Sequence, residues 1–203
     1  MTTRQDHWDA VYAARDPKAV TWYQPSLTRS LSLIDGLDLR IGARVLDVGG
    51  GAATLAGDLL ARGLSVSVLD VSAAALGHAR AQLGARADEV DWIIADITDW
   101  RPAARYALWH DRAVFHFLTE AADRAAYVDT ARRAVKPGGA LIMATFAPDG
   151  PEKRSGLPVV RYDGAGLADE LGDAFELIGE QRESHATPKG NTQGFCWTLF
   201  RRR

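Results

Sequence analysis

One short stretch, residues 45–56, constrains the fold of this chain more than any other feature. It reads Val-Leu-Asp-Val-Gly-Gly-Gly-Ala-Ala-Thr-Leu-Ala. The apolar beginning predicts a buried strand, and Gly49 and Gly51 permit a sharp turn with close ligand approach, because glycine has no Cβ. The residues after the turn predict the start of a helix. Its free N–H groups and positive dipole end would face a ligand above the turn.

The acidic residue in this stretch, Asp47, narrows the choice of ligand. Dinucleotide-binding turns use the same strand, glycine turn and helix to hold a pyrophosphate. A carboxylate at Asp47 repels phosphate and suits an amino group, which favours a ligand with adenosine at one end and an amino acid at the other. S-adenosylmethionine is such a molecule. A NAD site is the alternative, but its fingerprint requires a third glycine where this chain has Thr54.

Composition excludes several classes of protein. The chain has 203 residues and a net charge of -2, which fits one domain and lacks the basic excess of nucleic-acid-binding domains. No apolar run approaches the roughly 20 residues that span a bilayer, and the N-terminal residues lack the apolar region of a signal peptide. We therefore expect a cytoplasmic protein with no membrane or nucleic-acid partner.

Metal and disulfide chemistry lack support in the sequence. The single cysteine, Cys196, excludes an internal disulfide and a multi-cysteine metal site. It lies in an apolar run, which predicts a buried strand thiol rather than a nucleophile. No cluster of His, Asp and Glu has metal-ligand spacing.

Beyond residue 40, predicted strands and helices alternate, which is typical of a parallel sheet covered by helices. The predicted strands are Arg44–Val48, Ser65–Asp70, Val90–Ala95, Tyr106–His110, Ala140–Phe146, Phe175–Ser184 and Gly194–Arg202. The connector between the last two strands is too short for a crossover helix, so these strands should be antiparallel neighbours. We predict an α/β, doubly wound, Rossmann-like sheet of seven strands, parallel except for the last strand, with helices on both faces.

Two segments fall outside this alternation. Residues 1–40 predict two helices around a polar and aromatic stretch, and we interpret them as a lid on a core formed by residues 41–203. Residues 147–158 are too rich in proline and glycine for a regular element. That loop leaves a strand at the edge where open parallel sheets bind ligands, so we expect it to line a substrate pocket.

Acidic residues also end the second and third predicted strands. Asp70 is placed to accept hydrogen bonds from both hydroxyls of a ribose, or else to stabilise the start of the helix that Ser72 caps. Asp96 is placed to accept the amino group of an adenine while Ile97 covers the ring, or else is an ordinary turn residue.

Taken together, these residues resemble the class I S-adenosylmethionine-dependent methyltransferases. The resemblance covers residues 43–146 and rests on four motifs in order: Asp47 to Gly51, Asp70, Asp96 with Ile97, and the turn Val135 to Ala140. It implies S-adenosylmethionine as the cofactor. It also implies that the cofactor is bound by Asp47, Gly49, Gly50, Gly51, Asp70, Val71, Asp96 and Ile97.

The stretch after the fourth predicted strand bears on the acceptor. It lacks the Asn/Asp-Pro-Pro-aromatic motif of enzymes that methylate adenine bases or glutamine, and its Trp-His-Asp-Arg run is similar to that of thiopurine-methyltransferase-like enzymes. His110, Asp111 and His116 are therefore candidate catalytic residues beside the methyl group, with His110 also touching the cofactor. In these relatives an N-terminal tryptophan closes over the cofactor, which implies that role for Trp22 and Gln24, and less strongly for Trp8.

The sequence thus predicts an enzyme that transfers a methyl group to a small-molecule acceptor by in-line displacement. Two alternatives stay open at this point. A protein lysine methyltransferase would have an open acidic groove, and a cofactor-binding protein without activity would bind the ligand without turnover.

Overall fold

The computed structural model of the protein describes residues 3–14, 27–186, 190 and 192–203. The helices in these residues are α1 (Arg4–Ala14), α2 (Thr28–Asp35), α3 (Leu55–Ala61), α4 (Ala73–Leu83), α5 (Ala121–Ala134) and α6 (Gly164–Leu171). The strands are β1 (Arg44–Val48), β2 (Ser65–Asp70), β3 (Val90–Ile94), β4 (Tyr106–Arg112), β5 (Val135–Phe146), β6 (Lys153–Arg154), β7 (Leu157–Pro158), β8 (Phe175–Ala186) and β9 (Thr192–Arg202).

A seven-stranded sheet forms the centre of the molecule, with the strand order β3-β2-β1-β4-β5-β9-β8. Strands β1 to β5 are parallel to one another, and β9 is antiparallel to both β5 and β8. This topology confirms the predicted α/β Rossmann-like fold and its antiparallel final pair. The remaining strands, β6 and β7, form a small hairpin inside the 147–158 segment.

Both faces of the sheet are buried, as the apolar strand sequences predict. Successive residues of a strand point to opposite faces. In β1, Val45 therefore packs in one apolar cluster and Leu46 in the cluster on the other side, and both are fully buried. Packing on both faces of the sheet thus holds the carboxyl ends of β1 to β4 side by side.

Helix ends follow from single residues. Ser72 caps α4 by accepting a hydrogen bond from the backbone N–H of Ala75 at 3.1 Å, and Gly84 ends that helix with a φ of +62°. Both were predicted. Helix α6, which the sequence analysis missed, begins in the same way, because Asp163 accepts a hydrogen bond from the N–H of Gly166 at 2.8 Å.

Several boundaries differ from the prediction. Helix α5 begins at Ala121 rather than directly after Thr119, and β3 ends at Ile94. Strand β4 continues to Arg112, two residues beyond its predicted end, because β5 continues to pair with it. The Pro-Gly-Gly turn predicted before β5 lies inside that strand, since Val135 already pairs with Tyr106 before the register shifts. Among the described residues, no helix has both the length and the apolar character needed to cross a membrane.

Candidate functional site

A pocket of about 800 Å³, partly open to solvent, lies where the parallel strands β1 to β4 end. Open parallel sheets bind ligands at this edge. Its walls include the strand-end residues Gly49, Asp70, Val71, Asp96, Ile97 and Arg112. Helix α1 and the β6–β7 hairpin supply further walls, so the pocket is closed in part by the two segments that fell outside the strand–helix alternation.

Neighbouring side chains of the protein pack closely against the glycine turn after β1. A Cβ on Gly49 would lie 1.9 Å from a methyl group of Val114, and one on Gly50 would lie 2.4 Å from a methyl group of Val68. Gly49 also has a φ of +65°, which side chains rarely adopt. The turn therefore requires glycine for its conformation and for its close contacts with Val114 and Val68. The sequence had instead suggested that the missing side chains make room for a ligand.

The third glycine of the turn brings helix α1 to the site. The φ of Gly51 is +55°, and a Cβ there would lie 2.5 Å from the hydroxyl oxygen of Tyr12. The hydroxyl of this buried tyrosine therefore lies directly against the glycine turn. Tyr12, Trp8 and Arg4 are four residues apart along α1 and all line the pocket, which makes this face of the helix its cover.

Asp70 lies in the pocket at the end of β2, where the sequence analysis placed it. Its carboxylate accepts hydrogen bonds from the backbone N–H of Gly51 at 3.0 Å and of Ser72 at 2.8 Å. Burial raises the pKa of Asp70 to about 6, although these two hydrogen bonds favour the ionised form. The carboxylate thus ties the glycine turn to the start of α4, which agrees with the second alternative stated for Asp70, while its contact with a ribose stays a prediction.

Asp96 also lines the pocket, and its carboxylate is already engaged. Nη1 of Arg4 donates to it at 2.8 Å, and Thr98 donates through its backbone N–H at 2.9 Å and its hydroxyl at 2.8 Å. Burial disfavours the ionised carboxylate, but these donors outweigh burial and lower the pKa of Asp96. Ile97 is buried beside it and forms an apolar part of the wall.

Asp47 and His110 form a buried pair beneath the pocket. They are register partners on the parallel strands β1 and β4, so their side chains point to the same face of the sheet. Nδ1 of His110 lies 2.7 Å from Oδ1 of Asp47, and Nε2 lies 3.0 Å from the hydroxyl of Ser30 on α2. Neither residue lines the pocket. The structure thus places Asp47 and His110 in contact with each other beneath the pocket; the contacts expected of Asp47 with the cofactor and of His110 with the methyl group stay predictions.

Asp111 holds the turn that follows β4 and is fully buried. It accepts hydrogen bonds from the backbone N–H groups of Val114 at 2.8 Å and Phe115 at 3.1 Å, and from the hydroxyl of Tyr127 at 2.5 Å. Burial raises the pKa of Asp111 to about 6. Because its lone pairs serve this turn on the side of the sheet opposite to His110, the structure does not support Asp111 as a residue beside the methyl group.

His116 is fully buried and is not placed to act as a base. Its Nδ1 accepts a hydrogen bond from the backbone N–H of Phe146 at 3.1 Å, and burial together with the charge of Arg154 lowers its pKa well below the ordinary value. The neutral ring therefore carries its proton on Nε2. Among the described residues, that buried N–H group has no hydrogen-bond partner. His116 also does not line the pocket, so the structure does not support the catalytic role expected for it.

Two further arginines, one buried and one half-buried, also line the pocket, although the sequence did not single them out. Arg112 is the last residue of β4, and Arg154 belongs to the hairpin in the 147–158 segment. Burial lowers the pKa of Arg112 to about 10, and burial together with the charge of Arg112 lowers the pKa of Arg154 to about 9. Nη1 of Arg154 donates to the side-chain oxygen of Gln193 at 3.1 Å. The Arg in the Trp-His-Asp-Arg run was the available sequence signal for Arg112.

The residues predicted to cover the cofactor from the N-terminal segment are the last candidates. Trp8, the weaker candidate for the N-terminal cover, lines the pocket and packs edge-on against Phe117 at 5.1 Å between ring centroids. Trp22 and Gln24 lie outside the described residues. Within the described ranges, no group of three or more His, Cys, Asp or Glu side chains is placed to hold a metal ion.

Comparison with known proteins identifies the central part of the chain. Residues 45–139 match the family described as "Methyltransferase domain". The chain is 32% identical over 159 residues to a ubiquinone biosynthesis O-methyltransferase of Alkalilimnicola ehrlichii, covering 71% of this chain and 62% of that protein. It is 33% identical over 106 residues to the protein of the same name from Aromatoleum aromaticum, covering 52% and 44%. The chain therefore spans less than two thirds of the length of either relative.

Solved structures share the fold at lower sequence identity. The N-methyltransferase NodS of Bradyrhizobium japonicum, in complex with S-adenosylhomocysteine, superposes with a TM-score of 0.72 at 17% identity, covering 97% of this chain and 99% of that one. The 1,6-didemethyltoxoflavin-N1-methyltransferase of Burkholderia thailandensis superposes with a TM-score of 0.74 at 20% identity, covering 97% and 86%. These similarities establish the fold.

Proposed function

The matched domain and the fold make this chain a member of the class I S-adenosylmethionine-dependent methyltransferases, and on that premise we propose that it transfers a methyl group to a small-molecule acceptor. The observation that carries the proposal is the position of Asp70. A buried carboxylate lies in a pocket at the end of β2, hydrogen-bonded to the glycine turn that follows β1. This is the arrangement that an adenosine-containing ligand requires.

The side chains of the pocket fit the adenosine part of the cofactor. Asp70 retains lone pairs beyond its two backbone hydrogen bonds, and these would accept from the ribose hydroxyls. Val71, Ile97 and Leu118 supply apolar walls suited to an adenine ring. Asp96 would share its carboxylate between the adenine amino group and the donors that it already has.

For the methionine part, the glycine turn supplies backbone groups rather than a side chain. Gly49 lines the pocket directly, while Gly50 and Gly51 hold the backbone beside it. Asp47 would support this turn indirectly, because its contact with His110 holds the end of β1 in place beneath the pocket. Trp22 and Gln24 remain predictions for the cover of this end.

When bound, S-adenosylmethionine would supply a methyl group on a sulfonium sulfur, which an acceptor lone pair could displace with the carbon–sulfur electron pair leaving on sulfur. The protein contributes position and exclusion of water. The three sequence-predicted bases do not line the pocket, and Asp111 and His116 are held by backbone contacts. The proposal therefore favours acceptors that are already deprotonated or that lose their proton to solvent.

A small acceptor is favoured over a protein because the pocket is partly covered. Trp8 and Tyr12 cover it from α1, and Arg154 closes it from the hairpin side. We propose that the chain works as one domain, with the N-terminal helices as a lid on the Rossmann-like core. The cytoplasmic location and the absence of a nucleic-acid partner stay predictions.

Calorimetric titration with S-adenosylmethionine, S-adenosylhomocysteine and NAD tests the cofactor. We expect micromolar binding of the first two and none of NAD. Asp70→Asn should weaken binding, whereas Asp99→Asn, an exposed residue outside the pocket walls, should not. Binding of NAD alone would overturn the proposal. A second assay then separates the three interpretations. Release of S-adenosylhomocysteine with phenols, thiols or amines would indicate a small-molecule enzyme, and labelling of proteins would indicate a protein methyltransferase. Binding with neither result would indicate a protein without activity.

A further inference from the structure

We propose that the methyl acceptor carries an anionic oxygen group, such as a carboxylate, and that Arg112 and Arg154 bind this group inside the pocket. The inference rests on the proposed function and adds the class of substrate to it. Three observations carry it: the place of the arginines at the pocket, their burial, and their shared aromatic support.

The strand order places the arginines away from the proposed adenosine site. Asp70 ends β2 and Asp96 follows β3, on one side of β1. Arg112 ends β4, and Arg154 lies in the segment after β5, on the other side of β1. A cofactor that runs from β3 towards β1 directs its reactive end at β4. The two guanidinium groups therefore stand on the side from which an acceptor approaches.

Both arginines line the pocket; Arg154 is buried, which is unusual for this residue type, and Arg112 is half-buried. A buried cation loses hydration, and two cations close together also repel each other; the charge of Arg112 lowers the pKa of Arg154. An anion between them would relieve both effects. Arginine is suited to this task because its planar donors match a carboxylate with two parallel hydrogen bonds.

Acidic side chains and a tyrosine are among the groups that face the arginines. Glu183 and Asp47 act on Arg112 electrostatically, and Tyr12 acts on both arginines. Each of the two carboxylates has another donor, because Glu183 accepts from the indole N–H of Trp197 at 2.7 Å and Asp47 contacts His110. The nearby acids are thus shared, and a bound oxyanion would add a third acceptor to this group.

The arginine positions are fixed by rings beneath them. The guanidinium carbons of Arg112 and Arg154 lie 6.0 Å and 5.7 Å from the ring centroid of Phe195, and that of Arg154 lies 5.1 Å from the centroid of Phe146. The ring of His116 lies beside that of Phe146 in a tilted arrangement, with 4.8 Å between the centroids.

The carboxylate of the cofactor's own amino-acid end has the same chemistry, and the test separates the two sources. Protein saturated with S-adenosylhomocysteine is titrated calorimetrically with matched aromatic acids and amides: benzoate and benzamide, 4-hydroxybenzoate and 4-hydroxybenzamide, 2-naphthoate and 2-naphthamide. We expect at least one acid to bind about tenfold more tightly than its amide. This difference in affinity corresponds to the free energy of a hydrogen bond to a charged group.

Variants then show whether Arg112 and Arg154 cause this preference for the acid. Arg112→Gln and Arg154→Gln should abolish the preference for the acid, Arg154→Lys should restore part of it, and Arg161→Gln, an exposed arginine paired with Glu152, should leave it unchanged. S-adenosylhomocysteine binding should persist in all four, which also shows that they fold. The inference is overturned if no acid is preferred by the wild-type protein, or if the arginine variants bind S-adenosylhomocysteine and keep the preference. It is also overturned if these variants lose S-adenosylhomocysteine, which would assign the arginines to the carboxylate of the cofactor. Failure of the wild-type protein to bind S-adenosylhomocysteine would instead overturn the proposed function.

Discussion

Nδ1 of His110 lies 2.7 Å from Oδ1 of Asp47, and this contact joins two strands whose paired residues are 63 positions apart in the chain. Each residue, taken alone, has the type and place of a site residue. Together they form a buried polar pair that the hydroxyl of Ser30 extends to helix α2. The pair supports the strand end beneath the pocket and does not form its wall.

The first prediction concerns this pair. His110→Leu should lower the free energy of unfolding by about 3–5 kcal/mol, because it removes the donor to a buried carboxylate. Adding Asp47→Asn to that variant should recover part of the loss, since the amide does not carry a charge into the core. Urea denaturation measures both. If the losses of the two single variants simply add in the double variant, the two residues do not act as a pair.

The sequence predicted the parts of the site that depend on strand ends. Asp70, Asp96 and Ile97 lie in the pocket because strand ends of a parallel sheet meet at one edge, and the pattern of strands and glycines was readable. The contact between Asp47 and His110 depends on the register between β1 and β4, which a single sequence does not reveal.

The cover of the pocket was harder to predict for a different reason. Arg4 and Tyr12 lie on a helix that precedes the core, and nothing in its sequence indicates where it docks. Asp9 on this helix accepts hydrogen bonds from the hydroxyl of Ser72 at 2.6 Å and the N–H of Ala74 at 3.2 Å, which attaches α1 to the start of α4. Such contacts between distant segments decide which residues face the ligand.

The second prediction tests why the turn consists of glycines. Gly50→Ala should destabilise the protein by about 1–3 kcal/mol, because the added methyl group would overlap Val68 and the carboxylate of Asp47. Gly77→Ala is the matched control: Gly77 lies within α4 with nothing within 4 Å of an added Cβ. It should stabilise the protein by about 0.5–1 kcal/mol. Thermal and urea unfolding give both values; equal effects would contradict the role assigned to the turn.

The third prediction separates a structural Asp111 from a catalytic one. The indole N–H of Trp109 donates to the hydroxyl of Tyr127 at 2.9 Å, and that hydroxyl donates to Asp111 at 2.5 Å. Tyr127→Phe should cost about 1.5–3 kcal/mol of stability, the range for hydrogen bonds to charged groups. Affinity for S-adenosylhomocysteine should stay within twofold of the wild-type value. A stable variant with impaired cofactor binding would return Asp111 to the site.

The fourth prediction concerns Arg4, which pairs with Asp96 at 2.8 Å and also with Asp123. Because more than a third of the Arg4 side chain is exposed, Arg4→Gln should change global stability by less than about 1 kcal/mol. It should nevertheless speed hydrogen exchange in residues 4–14, since these pairs attach the start of α1. Arg62→Gln, which breaks a similarly exposed pair with Asp35, serves as the control and should leave α1 unchanged.

The fifth prediction follows from the raised pKa of Asp70, about 6, which burial causes. Hydroxyl donors of a ribose favour the ionised carboxylate, so binding must remove the proton that the free protein holds below that pKa. Affinity for S-adenosylhomocysteine should therefore be constant above pH 7 and should fall by about tenfold at one pH unit below the pKa of the free protein. Calorimetry between pH 5 and pH 8 measures this change, with Asp99→Asn as a control that keeps the wild-type profile. Asp70→Asn should bind weakly at every pH and show a flat profile; if it keeps the wild-type slope, another group titrates and Asp70 does not contact the ribose.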